Sequence, residues 1–327
     1  MKFLHPVIGA VALSLCVWAG AQPAEVLQAA RRGEADAQFR LGVLFDKGRG
    51  VVQDDEQALQ WFRRAAQQGH AKAQYNLAVM LDAGRGTAPD DAQAAQWYLR
   101  AAEQGDAAAQ YNLALMLVKG EGVPQNETAA AQWFLQAAQQ GLAAAQFSTA
   151  MMLYDGRGVD KDPAQAVQWL RRAAEQGHTR AQYTLGVLLY EGEQGVAPNH
   201  AEAAQWFERL AQQGDRHAQY NLGLMRVRGE GAAQNFADAV QWLRRAAQQG
   251  HTKAQHALGL MLYHGQGVAQ DYPQAYVWLA LAARQDEELH AARDQVARKL
   301  TPVQLEQAQA QVLAWQPKRE RPPASGR

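Results

Sequence analysis

Apolar residues recur along the chain at helical rather than strand spacing. Between residues 70 and 105, Ala73, Leu77, Ala78 and Leu81 mark one face of an amphipathic helix. Gly84-Arg85-Gly86 then interrupts the pattern, as glycine suits a helix C-terminus and the turn after it. A second helical pattern starts at Asp90 and runs through Ala94, Trp97 and the Ala101-Ala102 pair until Gly105 stops it. The same sentence is written again and again. Trp61, Trp97, Trp133, Trp169, Trp206, Trp242 and Trp278 stand 36 residues apart, with one step of 37. The step of 37 falls where Gly192-Glu193-Gln194-Gly195 replaces the usual Gly-x-Gly. A fixed period of this length signals a stacked array of one supersecondary unit. Seven units fit, at 34–69, 70–105, 106–141, 142–177, 178–214, 215–250 and 251–286. The fold class is all-α, a solenoid of helix pairs in which each unit buries its apolar face only against its neighbours.

The turns support this division. The position opening each second helix is Asp54, Asp90, Asn126, Asp162, Asn199, Asn235 or Asp271. Such side chains accept hydrogen bonds from free amides at a helix start, and Ala there would cost about 1 kcal/mol. Three residues on, Gln57, Gln93, Gln165, Glu202 and Gln274 complete the pattern of a capping box. Alanines line one stripe of each second helix and allow close approach, with the tryptophan expected to fill the remaining space.

The phrases Ala73-Gln74-Tyr75-Asn76-Leu77-Ala78 and Gly84-Arg85-Gly86, with Ala94-x-x-Trp97 and Ala101-Ala102, resemble the Sel1-like repeat, a relative of the tetratricopeptide repeat. The resemblance covers all seven units. It implies an α/α superhelix whose concave surface is lined mainly by the first helices, and a role as a scaffold for protein complexes. Exported bacterial members are linked to envelope functions or host interaction.

Both ends read as additions to the array. Met1 and Lys2, the apolar stretch Val7 to Trp18 and the small residues Ala19-Gly20-Ala21 form a signal peptide over 1–21. The protein is therefore expected to be exported, to the periplasm or the cell surface, with no transmembrane segment in the mature chain. Cleavage would remove Cys16, the single cysteine, so no disulfide could form. Residues 22–33 read as a partial helix covering the first unit, and 287–316 as capping helices, with Thr301-Pro302-Val303-Gln304 starting the last. Residues 317–327 read as a disordered basic tail.

Composition then narrows the chemistry. Lys+Arg and Asp+Glu are both 32, so the chain has no net charge and lacks the footprint of a nucleic-acid binder. Outside 1–21 the serines are Ser148, inside a repeat helix, and Ser325, near the end. That leaves almost no room for a Ser or Cys nucleophile beside a base. No His-Glu-x-x-His or Cys-x-x-Cys occurs, and His70, His178 and His251 lie whole repeats apart, as exposed residues at helix entrances. The Gly-x-Gly turns follow helices and lack the lysine of a phosphate loop. No catalytic residue, metal or cofactor is expected. Arg226 replaces a column of apolar residues and either snorkels outward, the favoured reading, or marks a local partner.

Binding is the remaining class. Asn76, Asn112 and Asn221 correspond, by the resemblance, to the asparagine that faces the groove of tetratricopeptide repeats. Arg40 and Thr184 share that column. One position earlier stand Tyr75, Tyr111, Tyr183 and Tyr220, with an apolar body and a polar tip. These nine residues are the candidate site for a protein or peptide, bound by a monomeric, non-enzymatic scaffold. The rival reading is an envelope enzyme acting on β-lactams, an activity associated with some exported relatives.

Overall fold

A computed structural model describes residues 23–193, 195–318 and 320. The signal peptide read at 1–21, with Cys16, lies outside the described residues, as do Gln194, Arg319 and 321–327. Among the described residues the protein is all-helical. It consists of α1 (Pro23–Arg31), α2 (Ala35–Lys47), α3 (Asp55–Gln67), α4 (Ala71–Ala83), α5 (Asp91–Glu103), α6 (Ala107–Lys119), α7 (Glu127–Gln139), α8 (Ala143–Asp155), α9 (Pro163–Glu175), α10 (Thr179–Glu191), α11 (His200–Gln212), α12 (Arg216–Arg228), α13 (Phe236–Gln248), α14 (Thr252–His264), α15 (Tyr272–Ala283), α16 (His290–Ala297) and α17 (Pro302–Ala314). The chain divides into two compact units, one ending at Trp169 and the other starting at Leu170. In the first unit each helix from α1 to α8 packs on the next. In the second the same holds from α10 to α15, and α15 also packs against α16 and α17. This neighbour-on-neighbour packing is that of a solenoid.

All seven Asp and Asn residues opening the second helices accept a hydrogen bond from the backbone N–H three residues on. The reciprocal half of a capping box does not form there. The cap's own N–H is already spent on the preceding first helix: Asp54 on Phe45 O, Asp90 on Leu81 O and Asn126 on Leu117 O. Gln93 turns instead to the Asp90 side chain, Nε2 to Oδ2 at 2.6 Å. A full box forms at Thr301 and Gln304, where no repeat precedes the helix and the Thr301 N–H is left free for it.

The core refines one expectation. Trp61, Trp169, Trp206 and Trp278 are buried as expected, but in each second helix the residue after the tryptophan is enclosed more fully than the tryptophan itself. Tyr98 and Phe62 are 1% exposed in the first unit, and Phe207, Leu243 and Leu279 are equally enclosed in the second. Trp97, Trp133 and Trp242 are half-buried. Several tryptophans carry an arginine over the ring, as Arg64 lies 4.4 Å from Trp61 and Arg100 4.5 Å from Trp97. Arg226 departs from the favoured reading. It does not snorkel but donates from Nε to Asp238 at 2.9 Å, so a carboxylate on the facing helix α13 neutralises it.

Residues 315–318 and 320 lie past α17, outside regular secondary structure. The stretch from 317 was expected to be disordered, yet Lys318 N–H donates to Gln248 O at 2.8 Å and Glu320 pairs with Arg245. Carbonyls at the end of α13 and a fixed guanidinium give this segment partners that a free tail lacks.

Candidate peptide-binding face

The ring column of the first helices sits on the aromatic core of its own repeat. Tyr75 lies 6.0 Å from Tyr98, Tyr111 5.5 Å from Phe134 and Tyr183 5.9 Å from Phe207, centroid to centroid. Tyr111 is buried, while Tyr75, Tyr183 and Tyr220 are half-buried. Burial pushes the hydroxyls of Tyr75 and Tyr220 up, so both stay protonated and able to donate.

The asparagine column ties successive repeats together through these hydroxyls. Asn221 Nδ2 donates to the Tyr183 hydroxyl at 3.3 Å, one repeat earlier. Asn112 hydrogen-bonds with Tyr75, also one repeat earlier, and with Tyr98. Asn76 differs because the ring before it is Phe39, which has no hydroxyl. Among the described residues its amide has no hydrogen-bond partner, although it is half-buried. Asn76 stands one helical turn after Lys72, which with Asp36, Phe39, Arg40, His70 and Ala71 lines an open depression between α2 and α4. Arg40 is exposed at its rim and Thr184, in the second unit, is half-buried. The nine candidates thus do not form one surface of equivalent groups. In the first unit Arg40 and Lys72 line one open place and Asn76 stands one helical turn beyond Lys72, while Asn112 and Asn221 are engaged in the packing.

The histidines correct the sequence reading most clearly. They are N-caps of the first helices rather than exposed loop residues. The Nδ1 atoms of His70, His178 and His251 accept the N–H of Ala73, Ala181 and Ala254 at 3.2, 3.1 and 3.2 Å. Asp106 and Asp215 do the same work in other repeats. That alternation of His with Asp in one column was the legible signal. The cap ring also packs on the ring column of the repeat before it: His70 stacks on Phe39 at 4.5 Å and His251 on Tyr220 at 4.6 Å.

Only a neutral ring can accept at Nδ1. Burial, reinforced by the nearby His217 and Arg216, lowers the pKa of His251 from 6.5 to about 4. The folded state thus binds fewer protons than the unfolded chain. The stabilisation is complete above pH 6.5 and is lost as the pH falls towards 4. His251→Asn keeps a capping oxygen without the titration. Its stability is expected to fall less than that of the native protein between neutral pH and pH 4. The difference is about 1–2 kcal/mol after allowance for the ring's partial exposure, measured by urea denaturation at both pH values.

Gln38, Gln74, Gln110, Gln182, Gln219 and Gln255, one column of the first helices, are buried polar residues. Each donates to the carbonyl of the alanine eight residues before it, as Gln74 Nε2 does to Ala66 O at 3.2 Å. Among the described residues no group of three or more metal-ligating side chains occurs, and no helix is long and apolar enough to cross a membrane.

The Sel1 repeat matches this chain seven times in succession, at residues 35–70, 71–106, 107–142, 143–178, 179–215, 216–251 and 252–287. The chain belongs to the Sel1 repeat family. The helix pairs described above are its Sel1 repeats. A solved Sel1 repeat protein from Oxalobacter formigenes is 33% identical over 84% of this chain and 79% of its own, with a TM-score of 0.62. The protective antigen c5321 of uropathogenic Escherichia coli, which displays the same repeat fold, is 30% identical over 90% of this chain and 78% of its own, with a TM-score of 0.44. No curated protein is similar to the chain in sequence. Sel1 repeats generally form non-enzymatic scaffolds that bind proteins, and this chain has the repeat architecture of such a scaffold.

Proposed function

We propose that this Sel1 repeat protein is an exported, monomeric scaffold that binds a protein or peptide segment on the face of its first helices. The observation that carries the reading is the amide of Asn76, which has no partner among the described residues and stands one helical turn from Lys72, itself lining an open depression with Arg40. That amide is not among the buried unpaired polar atoms, so it is open to an incoming ligand. An incoming peptide backbone offers both a donor and an acceptor to it. Two cationic side chains nearby favour a carboxylate at the end of such a segment. Export rests on the apolar stretch Val7 to Trp18 followed by Ala19-Gly20-Ala21. A periplasmic or surface partner follows from that.

The test compares Asn76→Ala with Asn221→Ala against a partner captured from the periplasmic fraction and then purified. Asn76→Ala is expected to weaken binding about tenfold while leaving stability unchanged, because the amide holds nothing in the free protein. Asn221→Ala is expected to lower stability by about 1 kcal/mol, since it removes a bond between repeats. Unchanged affinity of the confirmed partner for Asn76→Ala would remove this site from the first-helix face.

A further inference from the structure

The segment after α17 shows what a different edge of the repeats can hold. Glu320 receives a two-pronged contact from Arg245, Nε to Oε1 at 3.0 Å and Nη2 to Oε2 at 2.8 Å. Gln219 Nε2 adds a third donor at 2.8 Å. The fork is fixed independently of Glu320, because the guanidinium lies 4.6 Å over the Trp242 ring and Nη2 also donates to Ala211 O at 3.2 Å. A fixed planar fork is well suited to a carboxylate. These hydrogen bonds from Arg245 hold the Glu320 carboxyl below its usual range.

The same parts recur in other repeats. Gln38 with Arg64 over Trp61, Gln74 with Arg100 over Trp97, and Gln182 with Arg209 over Trp206 repeat the arrangement, with guanidinium-to-ring distances of 4.4, 4.5 and 4.6 Å. In each, the glutamine donates to the alanine carbonyl eight residues before it, as Gln219 does. Among the described residues no carboxylate reaches Arg64, Arg100 or Arg209. The glycine turns next to these pairs are open too. A methyl group built on Gly33, Gly69 or Gly177 would meet nothing within 4 Å. On Gly214 it would stand 3.2 Å from Glu320 Cβ, and on Gly250 3.5 Å from Pro317 Cβ. The tail therefore advances three residues, Pro317 to Glu320, while the array steps back one repeat. Repeat three breaks the series with Gln136, which accepts from Gln110 at 3.2 Å and carries no charge.

We propose that the turn edge of these Sel1 repeats binds an extended acidic peptide, each carboxylate held by one Gln–Arg pair, with successive carboxylates three residues apart, and that Glu320 occupies one such site from within the chain. The adjacent pairs Gln38–Arg64 and Gln74–Arg100 form a two-carboxylate site within the first unit. This edge is separate from the Asn76 face, and the proposal stands without it.

The probe is a fluorescein-labelled peptide with two glutamates three residues apart in a Pro/Ala background, titrated against the full chain. It is expected to bind about tenfold more tightly than the same peptide with glutamines, and than one with glutamates four residues apart. Arg100→Ala is expected to abolish the preference for glutamate over glutamine, and Glu320→Gln to add a further site in the second unit. The Arg100→Ala melting curve should match the native one, since that side chain is exposed. Equal affinity for the Glu and Gln peptides, or an Arg100→Ala protein that keeps the preference, would overturn the site. Equal affinity for the two glutamate spacings would overturn the register, and unchanged stoichiometry in Glu320→Gln would overturn internal occupancy.

Discussion

Tyr98→Ala is expected to destabilise the first unit by about 3–5 kcal/mol, the range for removing a fully enclosed aromatic side chain. Tyr98 is 1% exposed and stands within a cluster that includes Leu77, Ala78, Leu81 and Leu113. Its neighbours stand at close-packed helix positions and cannot collapse into the space left behind. The hydroxyl makes a long 3.5 Å contact to Asp82 Oδ2 and a hydrogen bond with Asn112, together worth about 1 kcal/mol net. Tyr98→Phe should therefore lie within about 1 kcal/mol of the native protein. The adjacent Trp97→Ala should cost only about 1–2 kcal/mol although the side chain is larger, because Trp97 is half-buried and its outer face meets Arg100 and solvent. Urea denaturation of the three variants orders them. A Trp97→Ala protein as unstable as Tyr98→Ala would mean that the tryptophan, not the residue after it, anchors the repeat.

Gly122→Ala is the second substitution with a large expected effect, about 3 kcal/mol or more, from strain and overlap together. Gly122 has φ +67°, where a β-carbon is already unfavourable, and that carbon would stand 2.2 Å from Asp91 O and 2.3 Å from Asp91 C. The obstacle is the backbone at the start of α5, fixed by its cap at Asp90, so nothing flexible can move aside. Gly120, two residues earlier, has a similar φ of +74°, but its nearest neighbour is Gln125 Cβ at 3.4 Å. Gly120→Ala should thus show the backbone penalty alone, about 1–2 kcal/mol. Thermal melts of the two single variants separate the terms, and equal losses would show that close approach to Asp91 contributes nothing. The pair also explains why Gly-x-Gly recurs: the first glycine ends a helix, and the second lets one repeat's turn sit against the preceding repeat's second helix.

Much of the molecule was legible before any coordinate was known. The 36-residue period, the Asp and Asn at the second-helix starts and the glycine turns are local signals, each fixed by what a residue type does to its own backbone. They set the helix pairs, their number and their ends. The candidate site was legible only as a set of columns. A column lists positions that share a face; it does not say which members find partners. Asn76, Asn112 and Asn221 are identical in sequence terms, yet Asn112 and Asn221 bond tyrosines one repeat back and Asn76 meets Phe39, which has nothing to accept or donate.

The sequence by itself determined the all-helical array and its seven Sel1 repeats, because periodicity and residue type are properties of the chain alone. Tertiary structure decided the rest. It enclosed the residue after each tryptophan more fully than the tryptophan, turned the histidines into caps, drew Arg226 to Asp238 and seated Glu320 on Arg245. Except for the caps, which are local, the outcome depends on a neighbour 12 or more residues away, and distance in space is the quantity that a one-dimensional pattern does not contain.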